Sequence, residues 1–256
     1  MRSSLRVAAV LTACVSALAV AAGASAAYSG HYQGFYSSAV TGQIATFTMD
    51  IAPSRTPIYS GLLLSDGIRE PFQVAIGRDG GFVALGTGAS GFLAVGRATP
   101  LAGGAGSLST AAYLLRTPVG LDHGSLRFIQ SLGGDASQLP QEATGACTPP
   151  DGTAVAIDFR MNGAIPPGPP DFGASVTVGD FTAPLVGSIG TPDLRTGSAP
   201  LVATGVSPLG SIDFDGSWVG GAQPHMQGTA TVRLADGSVS VDDCALVPAV
   251  RTTAGQ

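Results

Sequence analysis

Apolar and polar residues alternate with a period of two along much of this chain, a pattern that predicts β-strands. Between Ala45 and Ile51, Ala45, Phe47, Met49 and Ile51 share one face while Thr46, Thr48 and Asp50 share the other. Val155, Ile157, Phe159 and Met161 oppose Asp158 and Arg160 in the same way, and Ala230, Val232 and Leu234 oppose Thr229, Thr231 and Arg233. Each segment offers one face to a core and one to water, as strands of an antiparallel sheet do.

The intervening residues predict the turns. Asp236-Gly237 reads as a two-residue type I′ hairpin, which pairs Leu234 with Val239 and Val232 with Val241 on one apolar face. Asp79-Gly80 reads likewise and pairs Ile76 with Val83 and Val74 with Leu85, while Asp66-Gly67 is a third turn. Helical signals are scarce. The best is Leu121–Leu132, with Asp122 as N-cap and Gly133 as terminator, although Ser125–Leu132 reads equally as a strand. The expected class is therefore all-β, either an antiparallel β-sandwich or a β-barrel built from hairpins, with two similar β-rich halves as one form of it.

Four regions follow: a signal peptide at 1–26, a first β-rich block at 27–117, a connector at 118–152 and a second β-rich block at 153–250. The two blocks form either one domain or two. Ile165-Pro166-Pro167-Gly168-Pro169-Pro170 cannot pair as a central strand and is expected to be a loop.

The first residues bear on location. Arg2 and Arg6 precede an apolar run of about 16 residues, too short to span a bilayer, and Ala24-Ser25-Ala26 supplies an A-x-A cleavage site. A cleaved signal helix and export to the cell surface, periplasm or medium are expected, with no membrane span afterwards. Leu11-Thr12-Ala13-Cys14 has the form of a lipobox, so lipid anchoring at Cys14 is the competing fate, less favoured because the apolar run continues beyond it. Cys147 and Cys244 are then the cysteines that remain, and an oxidising compartment favours a disulfide between them.

Charge narrows the partners. The chain carries 12 basic and 17 acidic residues, and every basic one is arginine. Losing Arg2 and Arg6 leaves 10 against 17, a net charge of −7. Such a surface repels phosphate backbones, which argues against nucleic acid and leaves a protein or small molecule as partner. Aromatics make up 6% of the chain, too few for the girdles of an outer-membrane barrel.

Candidate chemistry is thin. Asp213 and Asp215 share one face of a strand and could form a calcium site or an acid–base pair, against the simpler reading of a solvated outer face. Asp242 and Asp243 fall on opposite faces, with Asp243 on the side of Val239 and Val241. His31, His123 and His225 are far apart, and Asp122-His123-Gly124-Ser125 holds hydrolase residue types without the separation in sequence a triad needs. Gly86-Thr87-Gly88-Ala89-Ser90-Gly91 spells a dinucleotide fingerprint but sits between strands, so it is a turn. No catalytic residue, cofactor site or cofactor emerges. Gly216-Ser217-Trp218 resembles the G-x-W of lipocalins and the opening of avidin-type barrels, where it lies on the first strand; here it falls far along the chain and assigns no family. Tyr28 to Tyr36 resembles the opening strand of many secreted β-domains.

Three functions remain. A non-enzymatic structural or interaction protein of the envelope fits the low charge and absent catalytic set best. The alternative is a small-ligand-binding β-barrel of lipocalin- or avidin-like architecture, which would need a cavity of about 300 Å³ or more. A secreted hydrolase is third and would need a histidine beside a carboxylate or hydroxyl in a cleft.

Overall fold

A computed structural model describes residues 28–65, 67–89, 91–100, 107–150, 152–162 and 171–249. The expected signal segment with Cys14, and the Pro/Gly run at 165–170, lie outside the described residues. The chain is all-β and forms two closed antiparallel barrels of eight strands each.

The first barrel runs in chain order through β1 (Gly30–Ser38), β2 (Ile44–Ile51), β3 (Ile58–Ser65), β4 (Ile68–Ile76), β5 (Gly81–Gly86), β6 (Leu93–Pro100), β7 (Ser107–Thr117) and β8 (Gly120–Gln130), and β8 closes on β1. The second comprises β9 (Glu142–Thr148), β10 (Val155–Met161), β11 (Asp171–Val178), β12 (Phe181–Ile189), β13 (Ser198–Ser207), β14 (Gly210–Val219), β15 (His225–Leu234) and β16 (Val239–Pro248), and β16 closes on β9. Closure removes the unpaired edges that an open sheet leaves.

Period-two alternation places the apolar residues inside. Phe47, Met49 and Ile51 of β2 are buried in the first core, and Ile157 and Phe159 of β10 in the second. Phe128 is the hub of the first core, meeting Tyr32, Phe47 and Phe82 edge to face with ring centroids 5.9, 5.8 and 6.0 Å apart. Each barrel also lays a phenylalanine over a glycine directly across the ladder: Phe72 over Gly61, and Phe172 over Gly187. A Cβ at either glycine would lie within 2.3 Å of a ring carbon, so a side chain there would force the ring to move.

Two expectations are corrected. Leu121–Leu132 is not a helix, because β8 occupies that stretch and the 118–152 connector supplies both β8 and β9. The reason is local: Asp122, Leu126 and Phe128 share a strand face, and a Cβ at Gly124 would lie 1.8 Å from the Ser37 carbonyl of β1, so Gly124 permits a close strand approach. The Asp-Gly hairpins also differ by one residue. Ile76 pairs with Phe82 and Ala75 with Val83, while Arg233 pairs with Val239 and Thr231 with Val241. A type I′ turn needs positive φ at both central residues, yet among the described residues only glycines have positive φ. Asp79 and Asp236 instead use their carboxylates to accept the backbone N–H two residues on, from Gly81 at 3.1 Å and Ser238 at 2.8 Å. The loops therefore contain three residues, and Gly77 N–H and Leu234 N–H bond across them to Gly81 O and Ser238 O.

The shift inverts β16. Val239 and Val241 are 58% and 49% exposed, whereas Asp242 is buried beside Ser240, whose hydroxyl it accepts. Cys147 and Cys244 form the disulfide and stand directly opposite each other on the ladder between β9 and β16, with Cα atoms 4.0 Å apart. The bond staples the seam that closes the second barrel. It points to an oxidising compartment.

Candidate functional site

The first barrel is not filled at one end. The connections β1–β2, β3–β4, β5–β6 and β7–β8 surround that end, and below them lies a cavity of about 350 Å³. Phe47, Leu63, Phe92 and Leu126 give it an apolar wall, and Gln43, Glu70, Tyr113 and Asp122 are its main polar groups. One void deeper in this barrel and one inside the second measure about 30 Å³ each. The contrast follows from side-chain size. The second interior is packed by Phe159, Phe172, Leu185, Leu201 and Ile212, whereas the upper layer of the first spends inward positions on Ser65 and Asp122.

Asp122 is held by two hydroxyls. Ser38 Oγ donates to its Oδ1 at 2.6 Å, and Tyr113 OH donates to its Oδ2 at 2.9 Å. Ser38 Oγ also accepts the Val40 and Thr41 N–H groups at 3.2 and 3.0 Å, so the same hydroxyl shapes the β1–β2 turn at the cavity mouth. Burial, then the hydrogen bond and charge of Asp122, push the Tyr113 phenol above its ordinary range. The phenol therefore remains a donor. Tyr36 packs edge-on against Tyr113 at 6.3 Å.

Glu70 enters from β4, in phase with the buried Phe72, Val74 and Ile76, and is 2% exposed. Gly88 N–H donates to its Oε1 at 3.0 Å. The glycine-rich run at 86–91 makes this possible. A Cβ at Gly86 would lie 2.3 Å from Glu70 Oε1 and 2.9 Å from the Phe92 nitrogen, and a Cβ at Gly88 would lie 2.7 Å from Glu70 Oε2. The run connects β5 to β6, and its backbone binds a carboxylate of the chain itself.

The residues singled out in the sequence fall elsewhere. Asp213 is buried, accepts Thr204 Oγ1 at 2.8 Å and receives Arg233 Nη1 at 2.6 Å on its Oδ2. A cation already belonging to the chain thus occupies that carboxylate, and Asp215 lies half-buried on the same strand. Among the described residues no group of three or more His, Cys, Asp or Glu side chains is arranged to hold a metal ion. His31 Nδ1 lies 2.7 Å from Asp50 Oδ1, but both side chains are solvent-exposed, not set in a cleft. His225 Nδ1 meets the Gln223 carbonyl at 2.9 Å. Of Asp122-His123-Gly124-Ser125, Asp122 faces the cavity while His123 and Ser125 are exposed. Trp218, of the Gly-Ser-Trp motif, is buried in the second core on β14.

Sequence reasoning passed over Glu70 and Tyr113, and took Asp122 for a helix cap. The available signal was a carboxylate in phase with the apolar face of a strand: Glu70 with Phe72 and Val74, Asp122 with Leu126 and Phe128.

No family model and no curated protein matches this chain. Among solved structures it is similar to a DUF3598-family protein of unknown function from Nostoc punctiforme, at 12% identity over 87% of this chain and 96% of that one, with a TM-score of 0.26. An AttH-type protein from Nitrosomonas europaea is 10% identical over 86% and 92% of the two chains, with a TM-score of 0.24. Kievitone hydratase from Nectria haematococca is 10% identical over 91% and 93%, with a TM-score of 0.27. Likenesses this distant carry no argument about chemistry. No helix among the described residues is long and apolar enough to cross a membrane.

Proposed function

We propose that this chain is a small-molecule-binding protein whose ligand sits in the first barrel. The observation that carries the reading is the cavity of about 350 Å³ beneath one end of that barrel. Ligand pockets span roughly 300–1,000 Å³ and combine apolar walls with a few fixed polar groups, which Phe47, Leu63, Phe92 and Leu126 supply alongside Asp122 and Tyr113. Exposed Val40, Val119 and Leu121 at the mouth give an apolar ligand a surface to meet before it enters. A purely structural role for the sheet surfaces leaves this space unaccounted for. The disulfide supports residence outside the reducing cytoplasm, in keeping with a leader cleaved near residue 26.

Titration with a neutral solvatochromic dye, Nile red, tests the reading. One dye per chain should bind, and Leu115→Trp, which places an indole in the cavity, should weaken binding at least about tenfold. Leu194→Trp, at a fully exposed position, should leave it unchanged. Equal binding by Leu115→Trp and the unmodified chain would refute the assignment.

A further inference from the structure

The cavity is one-sided in charge. Among the described residues Glu70 and Asp122 both line it, and no arginine or histidine does. The two acids arrive from β4 and β8, strands four places apart in a ring of eight, so they come from opposite walls. Glu70 lies two residues beyond the start of β4 and Asp122 two beyond the start of β8, which puts both just below the mouth.

We infer that the cavity selects a ligand carrying a protonated amine on an apolar body, because Glu70 and Asp122 line it from opposite strands among apolar and aromatic residues. This rests on the first barrel being the binding cavity. An anionic ligand would be set beside the carboxyl groups of Glu70 and Asp122, where like charges repel. A neutral alcohol would gain the walls and at most one uncharged hydrogen bond to an acid. An ammonium group gains the walls and its attraction to the acids. Its three donors match oxygens that retain accepting capacity, since the Asp122 oxygens each accept from Ser38 or Tyr113 and can accept again. Tyr36, Phe47, Phe92 and Tyr113 also line the cavity, and aromatic rings attract an ammonium group. The hydroxyls on Asp122 hold that carboxylate in place before the ligand arrives, which lowers the ordering cost of binding.

Three probes of one chain length separate this inference from the reading beneath it: decylamine, decanol and decanoate, titrated calorimetrically at neutral pH below micelle formation. Decylamine should bind at least about tenfold tighter than decanol, with decanoate weakest. Asp122→Asn and Glu70→Gln should each cut the preference for decylamine over decanol about tenfold, with far-UV circular dichroism reporting that each variant is folded. Decanol or decanoate binding as tightly as decylamine would overturn the amine inference and leave the cavity reading standing. Binding of none of the three would overturn both.

Discussion

Tyr113 and Asp122 join neighbouring strands of the first barrel through a 2.9 Å hydrogen bond inside its cavity. Tyr113 comes from β7 and Asp122 from β8, and Ser38 of β1 completes the contact from the other side. Asp122 is half-buried, and these hydroxyls replace part of the water its carboxyl group has lost.

Removing either hydroxyl should therefore cost stability. Tyr113→Phe is expected to destabilise the protein by about 1–3 kcal/mol, and Ser38→Ala by a similar amount. Because both donors serve one carboxylate, their effects should be non-additive in urea denaturation of the double variant.

The same burial sets an alkaline limit. Tyr113 and Tyr32 are both pushed above the ordinary phenol value of 10, chiefly by burial. The folded chain keeps these protons where the unfolded chain releases them, so above about pH 10 the unfolded state binds fewer protons and stability falls as pH rises. Below that range their contribution is fully present. Urea midpoints measured from pH 8 to 12 should decline beyond pH 10, less steeply in Tyr113→Phe.

The strand pattern and the disulfide were legible in the sequence, because inward residues alternate cleanly at Phe47–Met49–Ile51 and Ile157–Phe159 and only Cys147 and Cys244 fall after residue 26. The register of the Asp-Gly hairpins was not. Pairing valines across Asp236-Gly237 satisfied hydrophobicity, but the Asp236 carboxylate captures Ser238 N–H and adds a residue to the loop. The cavity was hidden for a related reason. Glu70 and Asp122 count as polar letters in a binary pattern, and only closure of the ring turns them toward one space.

The glycine-rich turn offers a sharper test of how Glu70 is held. Gly86→Ala should cost about 1–3 kcal/mol, since its Cβ would meet the Phe92 backbone as well as Glu70. All three nearest atoms to a Cβ at Gly88 belong to Glu70, so Gly88→Ala should be harmful in the native background and nearly neutral beside Glu70→Ala. Thermal denaturation of the four variants distinguishes the two positions.

In the second barrel, Arg233→Ala should expose how much Asp213 depends on its partner. Asp213 is buried and Arg233 partly exposed, which places the expected loss at about 1–3 kcal/mol, below that of a fully buried pair. Addition of calcium or EDTA to the unmodified chain should leave the melting temperature unchanged, because the guanidinium already neutralises that carboxylate.

Opening the seam of the same barrel should be the most damaging covalent change. Replacing Cys147 and Cys244 together by alanine releases a loop spanning 97 residues and is expected to cost about 4–5 kcal/mol on chain-entropy grounds. Urea midpoints under non-reducing conditions measure the loss.

The most direct test of ligand binding in the first barrel is methyl NMR of the leucines during titration with decanol. Leu63, Leu115 and Leu126, which line the cavity, should shift together and saturate, while Leu185 and Leu201 in the packed second core stay still. Shifts confined to the second barrel, or to exposed Leu194 and Leu209, would contradict the account.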